Sequence, residues 1–464
     1  MGTLQVSLVA LFVTSFLSLV HAQQPATEKS EAALDVTSMD RNVDPCADFF
    51  AYSCGGWLKK NPIPPDQSSW NTYSKMQDEN LGRLRAILEA TSAPDPKRNA
   101  IDQKIGDYYA SCTDEKAIDG KGSAPLKPSL ERIAKIKSKA EIADVAASMI
   151  DDDILFHFES IQDFRDANQV IANADQGGLG LPDRDYYTKD DAKSVELRKQ
   201  YLAHVQKMFE LLGDRPETGI AEAQTVMRIE TALAKGSMTR VERRDPKALD
   251  HKMTRAELEG ISPEFHWAAY FTKVQLPSLP SLNVSAPNFF KAMNAELANE
   301  SLADWKTYLR WHLLHADAPF LATPFVNENF AFYGKIMRGQ DELKPRWKRC
   351  TEAVDNDLGE ALGQAYVAKY FSPEAKQQAL KIVKEIQVAM EQDITALPWM
   401  SPATKQQALA KLHGMANKIG YPDKWRDYSK LEIVRGDELG NVERARKFEF
   451  DRRLAKIGKP VDRG

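Results

Sequence analysis

Four cysteines and eight histidines are the side chains of this sequence best suited to covalent or metal chemistry. Cys46 and Cys54 stand eight positions apart in residues 44–66, DPCADFFAYSCGGWLKKNPIPPD. On a helix that spacing is about 12 Å of rise, well beyond the ~7 Å between Cα atoms that a disulfide spans. Disulfide chemistry at either cysteine therefore needs a partner elsewhere, and Cys112 and Cys350 are what remains. Two arrangements stay open. Both early cysteines pair with Cys112 and Cys350, or Cys112 pairs with Cys350 and the first two are left over.

The histidines are His21, His157, His204, His251, His266, His312, His315 and His413, and none begins an H-E-x-x-H. That spacing would put two imidazoles on one helix face with a glutamate base between them. His312 and His315 are three apart with Asp317 close by, a spacing open to a metal, but two histidines of an amphipathic helix is the better reading. There is no Gly-x-Ser-x-Gly elbow and no phosphate-binding loop, and Gly178-Leu179-Gly180 lacks the third glycine of a dinucleotide fingerprint. Acidic runs such as Asp151-Asp152-Asp153 read as solvated faces. Asn283-Val-Ser and Asn299-Glu-Ser match the glycosylation sequon, which matters only in a eukaryotic secretory pathway. No catalytic residue and no metal ligand is assigned to this chain.

The elements that must position these groups are mostly helices. Asp44 and Pro45 suit a helix start, and Gly55-Gly56 a left-handed stop before the Pro-rich turn. Apolar spacing predicts helices over residues 68–88, 101–111, 127–150, 195–212 and 217–234. Ser372-Pro373 and Ser401-Pro402 each open another, the second ending near Gly420. Residues 154–174 alternate partly at period two and run into Gly177-Gly178-Leu179-Gly180-Leu181-Pro182. That pattern fits a small hairpin with a glycine turn, or a loop packed on helices.

At 464 residues the chain is long enough for a large core and more than one domain. Lys+Arg 62 against Asp+Glu 66, with no basic block, argues against a nucleic-acid partner. Residues 4–20 are mostly apolar and uncharged, and Val20-His21-Ala22 offers a cleavage site, so residues 1–22 read as a signal peptide. Residues 23–38 read as a flexible tether. No later run is apolar enough to span a membrane. The expected location is secreted or periplasmic, where disulfides persist.

Several blocks together resemble one family. They are Asp44-Pro45-Cys46 with Tyr52-Ser53-Cys54-Gly55-Gly56-Trp57, then Tyr108-Tyr109-Ala110-Ser111-Cys112. Gly178-Leu179-Gly180-Leu181-Pro182-Asp183-Arg184-Asp185-Tyr186-Tyr187, Asp304-Trp305, Pro345-Arg346-Trp347-Lys348-Arg349-Cys350 and Ile419-Gly420-Tyr421-Pro422-Asp423 follow. From residue 39 to the C-terminus the chain is similar to the neprilysin and endothelin-converting-enzyme family of zinc metallopeptidases.

The resemblance implies a mainly α fold: a multi-helical lid domain with a small β element, clasped in relatives against a thermolysin-like catalytic domain. Residues 39–66 would pack on that catalytic domain, and residues 67–464 would form the lid and its return helices. The family's H-E-x-x-H helix and glutamate ligand lie in a C-terminal third absent from this chain. Zinc is then the cofactor of the complete enzyme, and this chain alone holds none and is inactive, since a catalytic zinc needs three protein ligands. The implied partners are peptide substrates and the C-terminal catalytic domain. The family pairs the counterparts of Cys112 and Cys350 within the lid, while those of Cys46 and Cys54 bridge to the catalytic domain. Relatives that trim C-terminal dipeptides carry arginines at the places of Ser69 and Gln77, so their absence here implies endopeptidase action. The alternative is a short, non-catalytic exported module that binds peptides or another protein.

Overall fold

The computed structural model describes residues 36–149 and 154–462. The expected signal peptide, most of the tether and Asp151-Asp152-Asp153 lie outside the described residues. The chain divides into two compact units, Met1–Pro62 and Ile63–Gly464.

In the first unit the α-helix Phe49–Lys60 starts four residues later than the proline predicts. Asp48 is its N-cap and accepts from the Ala51 amide at 2.8 Å. Asp44 instead closes a turn, accepting from the Cys46 amide at 2.9 Å. Cys46 therefore sits outside the helix, and the helical-rise argument does not describe its distance from Cys54. Gly55 and Gly56 are inside the helix and do not stop it. Their role is close approach: a Cβ on Gly56 would lie 2.7 Å from the Met39 carbonyl oxygen and 2.8 Å from that of Thr37. Helical hydrogen bonding outweighs the low propensity of two glycines here. The helix runs on to Asn61, where Pro62 removes the next donor. The tether's last residues, Val36–Ser38, form the 3-10 turn that these glycines admit.

The second unit is mainly helical with one small sheet. Asn71 caps Thr72–Ser92 and Asn99 caps Ala100–Thr113, each side chain accepting a first-turn amide. Ser372 and Ser401 cap Pro373–Ala396 and Pro402–His413, with the proline at the first helical position. The single helix expected over 127–150 is two, Lys127–Ala134 and Ile142–Ser148, because Ser138 is extended between them.

The sheet has the order β1-β2-β4-β3, with β1 Phe156–Gln162, β2 Val170–Gln176, β3 Lys252–Thr254 and β4 Ser281–Val284. β1 and β2 form an antiparallel hairpin, Phe156 opposite Gln176 and Gln162 opposite Val170. Its turn is residues 163–169, where Asp163 donates its amide to the Gln169 carbonyl at 2.9 Å. The glycine segment is not the hairpin turn. It follows β2 and leads into the core. β2 pairs β4 in parallel, and β3 closes the other edge antiparallel.

Two apolar cores hold this unit. The larger gathers Phe156 and Phe158 of the sheet with Trp267, Phe290, Trp305 and Trp311 from the helices around it. The smaller joins Thr72–Ser92, Ala100–Thr113 and Arg346–Tyr370 through Leu88, Ile105, Tyr108, Val354 and Leu358. Cys112 and Cys350 are bonded across it, Cα to Cα 5.6 Å. Cys46 and Cys54 are free thiols among the described residues.

Candidate functional site

The helix Arg346–Tyr370 organises the polar ground of the second unit. Its backbone leaves the helical region at Leu358, φ −126° and ψ 33°. Just before that break, Asn356 lines three cavities at once, of about 350, 410 and 700 Å³. Pockets of this size admit small ligands and peptide side chains.

The largest of the three runs between Thr72–Ser92 and Arg346–Tyr370, with Tyr73, Met76 and Gln77 on one wall and Glu352, Asp355 and Tyr366 on the other. The two helices are locked in register by named bonds. Tyr366 donates to Asn80 at 3.0 Å, and buried Lys348 reaches Asp66 at 3.0 Å and Asp78 at 2.6 Å. Burial pulls the Lys348 ammonium down, but its hydrogen bonds to Asp78 and Asp66 outweigh this and hold it above the usual lysine value. Burial, then the Glu352 charge, raises Asp355. Gln77 is exposed and faces this groove, while Ser69 is exposed in the segment before the helix.

Beyond the break, Tyr108 hydrogen-bonds Asp357, whose carboxyl burial raises above the usual range. Glu438 lies close by, 4 % exposed, with neither carboxyl oxygen hydrogen-bonded among the described residues. Burial pushes it up to about 8, opposed by Arg346 and reinforced by Asp357 and Asp437.

A second constellation lies in the larger core. Glu230 has no solvent exposure and collects donors from four directions. Tyr187 Oη lies 2.9 Å from Oε2 and Tyr201 Oη 2.9 and 3.0 Å from the two oxygens. The Gly180 amide at 3.1 Å and Trp311 Nε1 at 3.2 Å reach Oε1. His312 Nε2 is 3.0 Å from the same oxygen but out of line for a hydrogen bond. Burial and then the Glu230 charge drive both phenols well above their usual value. The carboxylate thus anchors the glycine segment, and a Cβ on Gly180 would collide with the Tyr201 phenol. This is a structural node whose carboxylate is closed to solvent.

His312 and His315 are both turned into the core: burial lowers His315 to about 3, so it stays neutral. They do not join Asp317 in a ligand set, and among the described residues no group of three His, Cys, Asp or Glu side chains is arranged to hold a metal ion. No step through zinc is derived from these residues. Asn283 is buried in β4, its amide donating to Asn173 at 2.8 Å and to the Leu249 carbonyl at 2.9 Å, so the folded chain does not offer it for glycosylation. Asn299 is exposed at a helix end. Glu230, Asp357 and Glu438 were not singled out by sequence. Glu230 did leave a signal, an acid on the stripe Val226, Ile229, Leu233. Glu438, beside Asp437 in a charged run, left none.

The family model described as Peptidase family M13 matches residues 45–422. Endothelin-converting enzyme 1 of Homo sapiens is 30% identical over 436 residues, covering 89% of this chain and 56% of the relative. An endothelin-converting enzyme homolog of Locusta migratoria is 27% identical over 497 residues, with 98% and 68% covered. Among solved structures, the crystal structure of the Mycobacterium tuberculosis zinc metalloprotease ZMP1 with an inhibitor superposes with a TM-score of 0.85 at 33% identity, over 93% of this chain and 65% of that one. The chain therefore spans a little over half the length of the human relative it matches.

Proposed function

Because the chain belongs to peptidase family M13, we propose that it is the helical lid part of an exported zinc metalloendopeptidase. It closes over peptides held against a catalytic part that carries the H-E-x-x-H motif. Alone, the 464 residues hold no zinc and cleave nothing. The observation that carries this reading is the apolar stripe of Pro373–Ala396, which has no packing partner among the described residues. Ile382, Ile386 and Met390, four residues apart on one face, are 63%, 60% and 48% exposed, and in that whole helix Ile394 is the one buried residue. Exposed apolar area of this kind marks a docking face. The first unit adds support, since Phe49 and Phe50 also stand exposed beside the free thiols Cys46 and Cys54, the family's attachment points for the catalytic domain.

In that assembly the cavities meeting at Asn356 are the lid's share of the substrate chamber, and Gln77 in place of an arginine favours internal cleavage over trimming of dipeptides. The test compares the 464-residue chain with the product of the reading frame extended through a zinc motif, each given an oligopeptide of about ten residues. The extended product should cleave it and a chelator should stop it, while the shorter chain does nothing. Chelator-sensitive cleavage by the shorter chain, or none by the extended product, overturns the reading.

A further inference from the structure

We propose that the groove of about 700 Å³ between Thr72–Ser92 and Arg346–Tyr370 selects a basic side chain, lysine or arginine, of a bound peptide, and that Asp355 is the residue that reads its charge. That a peptide is the occupant rests on the peptidase reading; which side chain it offers rests on the groove itself.

The walls suit a long, partly apolar group. Leu81 and Leu84 of the first helix line the groove, the one buried and the other half-buried. Tyr73 and Met76 belong to the same wall and stand 83% and 54% exposed, so their apolar faces are open to whatever enters. Tyr366 lies on the opposite wall with its hydroxyl fixed on Asn80 at 3.0 Å.

The charges of the groove do not cancel. Lys344, Glu352 and Asp355 line it, and Lys344 Nζ sits 2.6 Å from Glu352. Asp355 has no ion-pair partner among the described residues. Burial and then the Glu352 charge raise its carboxyl, and no cation acts against them. The residue is nonetheless exposed, so an incoming group can reach it.

A groove with one carboxylate in excess repels an acidic side chain and offers a neutral one only its apolar wall. Lysine or arginine uses both parts, laying its methylene stem along Leu84 and Met76 and bringing its charged head to Asp355 and a tyrosine face. An accessible ion pair contributes modestly, and a cation over an accessible ring about as much, so the preference is about tenfold rather than absolute. The adjoining cavity of about 350 Å³ has no such excess, since it sets Arg426, Arg446 and Arg453 against Glu159, Asp357 and Glu449.

The experiment titrates the 464-residue chain with fluorescently labelled short peptides, blocked at both ends, that differ at one central position: lysine, norleucine or glutamate. Anisotropy should show the lysine peptide bound about tenfold more tightly than the norleucine peptide, and the glutamate peptide most weakly of all. Asp355→Asn should bring the lysine peptide down to the norleucine level and leave norleucine unchanged. Asp355→Lys should put glutamate first, and Tyr73→Ala should weaken the lysine peptide severalfold. Equal binding of all peptides, a lysine preference that survives Asp355→Asn, or no binding by a chain shown folded by circular dichroism overturns the proposal. If the extended product hydrolyses peptides while the chain shows no lysine preference, the role of the groove falls and the peptidase reading stands. An Asp355-dependent lysine preference without hydrolysis by that product upholds the groove and removes the peptidase reading.

Discussion

The Tyr201 phenol straddles the Glu230 carboxylate, 2.9 and 3.0 Å from its two oxygens, where neither side chain meets solvent. Together with Tyr187, the Gly180 amide and Trp311, it makes that carboxylate the shared acceptor of three helices and the glycine segment.

Glu230→Gln keeps the shape but replaces acceptor lone pairs with an NH2 that confronts existing donors. Hydrogen bonds to a charged group contribute about 1.5–3 kcal/mol each, and a buried donor left unmet costs about 1–3. Urea unfolding should show a loss of at least about 3 kcal/mol, with Tyr201→Phe losing about 1–2. A Glu230→Gln chain within about 1 kcal/mol of the parent would remove the node's importance.

The Cys112–Cys350 bridge closes a separation of 238 residues. Replacing both with serine should cost roughly 2–4 kcal/mol, chiefly by freeing the unfolded chain. The melting temperature of the double variant, compared with that of the oxidised parent, checks this. No difference between them would mean the smaller core holds without the bridge.

Stability should bend with pH at both ends. Glu438, raised to about 8 from an ordinary 4.5, holds its proton longer in the folded state. Its contribution is full below pH 4.5 and fades as pH climbs through 8, by up to a few kcal/mol on an order-of-magnitude reckoning of about 1.4 per unit. Glu438→Gln should therefore gain on the parent between pH 7 and 9. His315, lowered to about 3 from 6.5, acts oppositely: its contribution is present above pH 6.5 and is lost as pH falls toward 3. Denaturant midpoints at four pH values test both limbs, and a parent with a flat profile from 7 to 9 would contradict the Glu438 assignment.

Ile382→Glu with Ile386→Glu places charge on the exposed stripe of Pro373–Ala396. In the 464-residue chain this should suppress hydrophobic-dye binding and self-association while moving stability by no more than about 0.5 kcal/mol, as for ordinary surface positions. In the extended product the same pair should impair assembly and activity severalfold. A large stability loss in the shorter chain would mean the stripe is packed within this part.

Much of this arrangement is legible locally. Ser372-Pro373 and Ser401-Pro402 mark helix starts that the structure keeps, because a cap and a proline act within one turn. The alternation in residues 154–174 becomes the β1–β2 hairpin for a similar short-range reason. Glycines misled twice. Gly55 and Gly56 read as a stop and serve as a contact surface for residues 37–40, and the glycine segment after β2 reads as a turn but threads toward Glu230. In both, the partner that demands a missing Cβ lies on another segment.

By itself the sequence determined the helical character, the capping and the family, since each is written in residue spacing and in motif order. Only the tertiary structure decided which acids lose their water. Glu230 and Glu438 are both glutamates on helices. One meets five polar groups brought from distant segments, and the other has neither carboxyl oxygen hydrogen-bonded among the described residues. Solvation and pairing of a charge depend on what folds against it, and no local spacing records that.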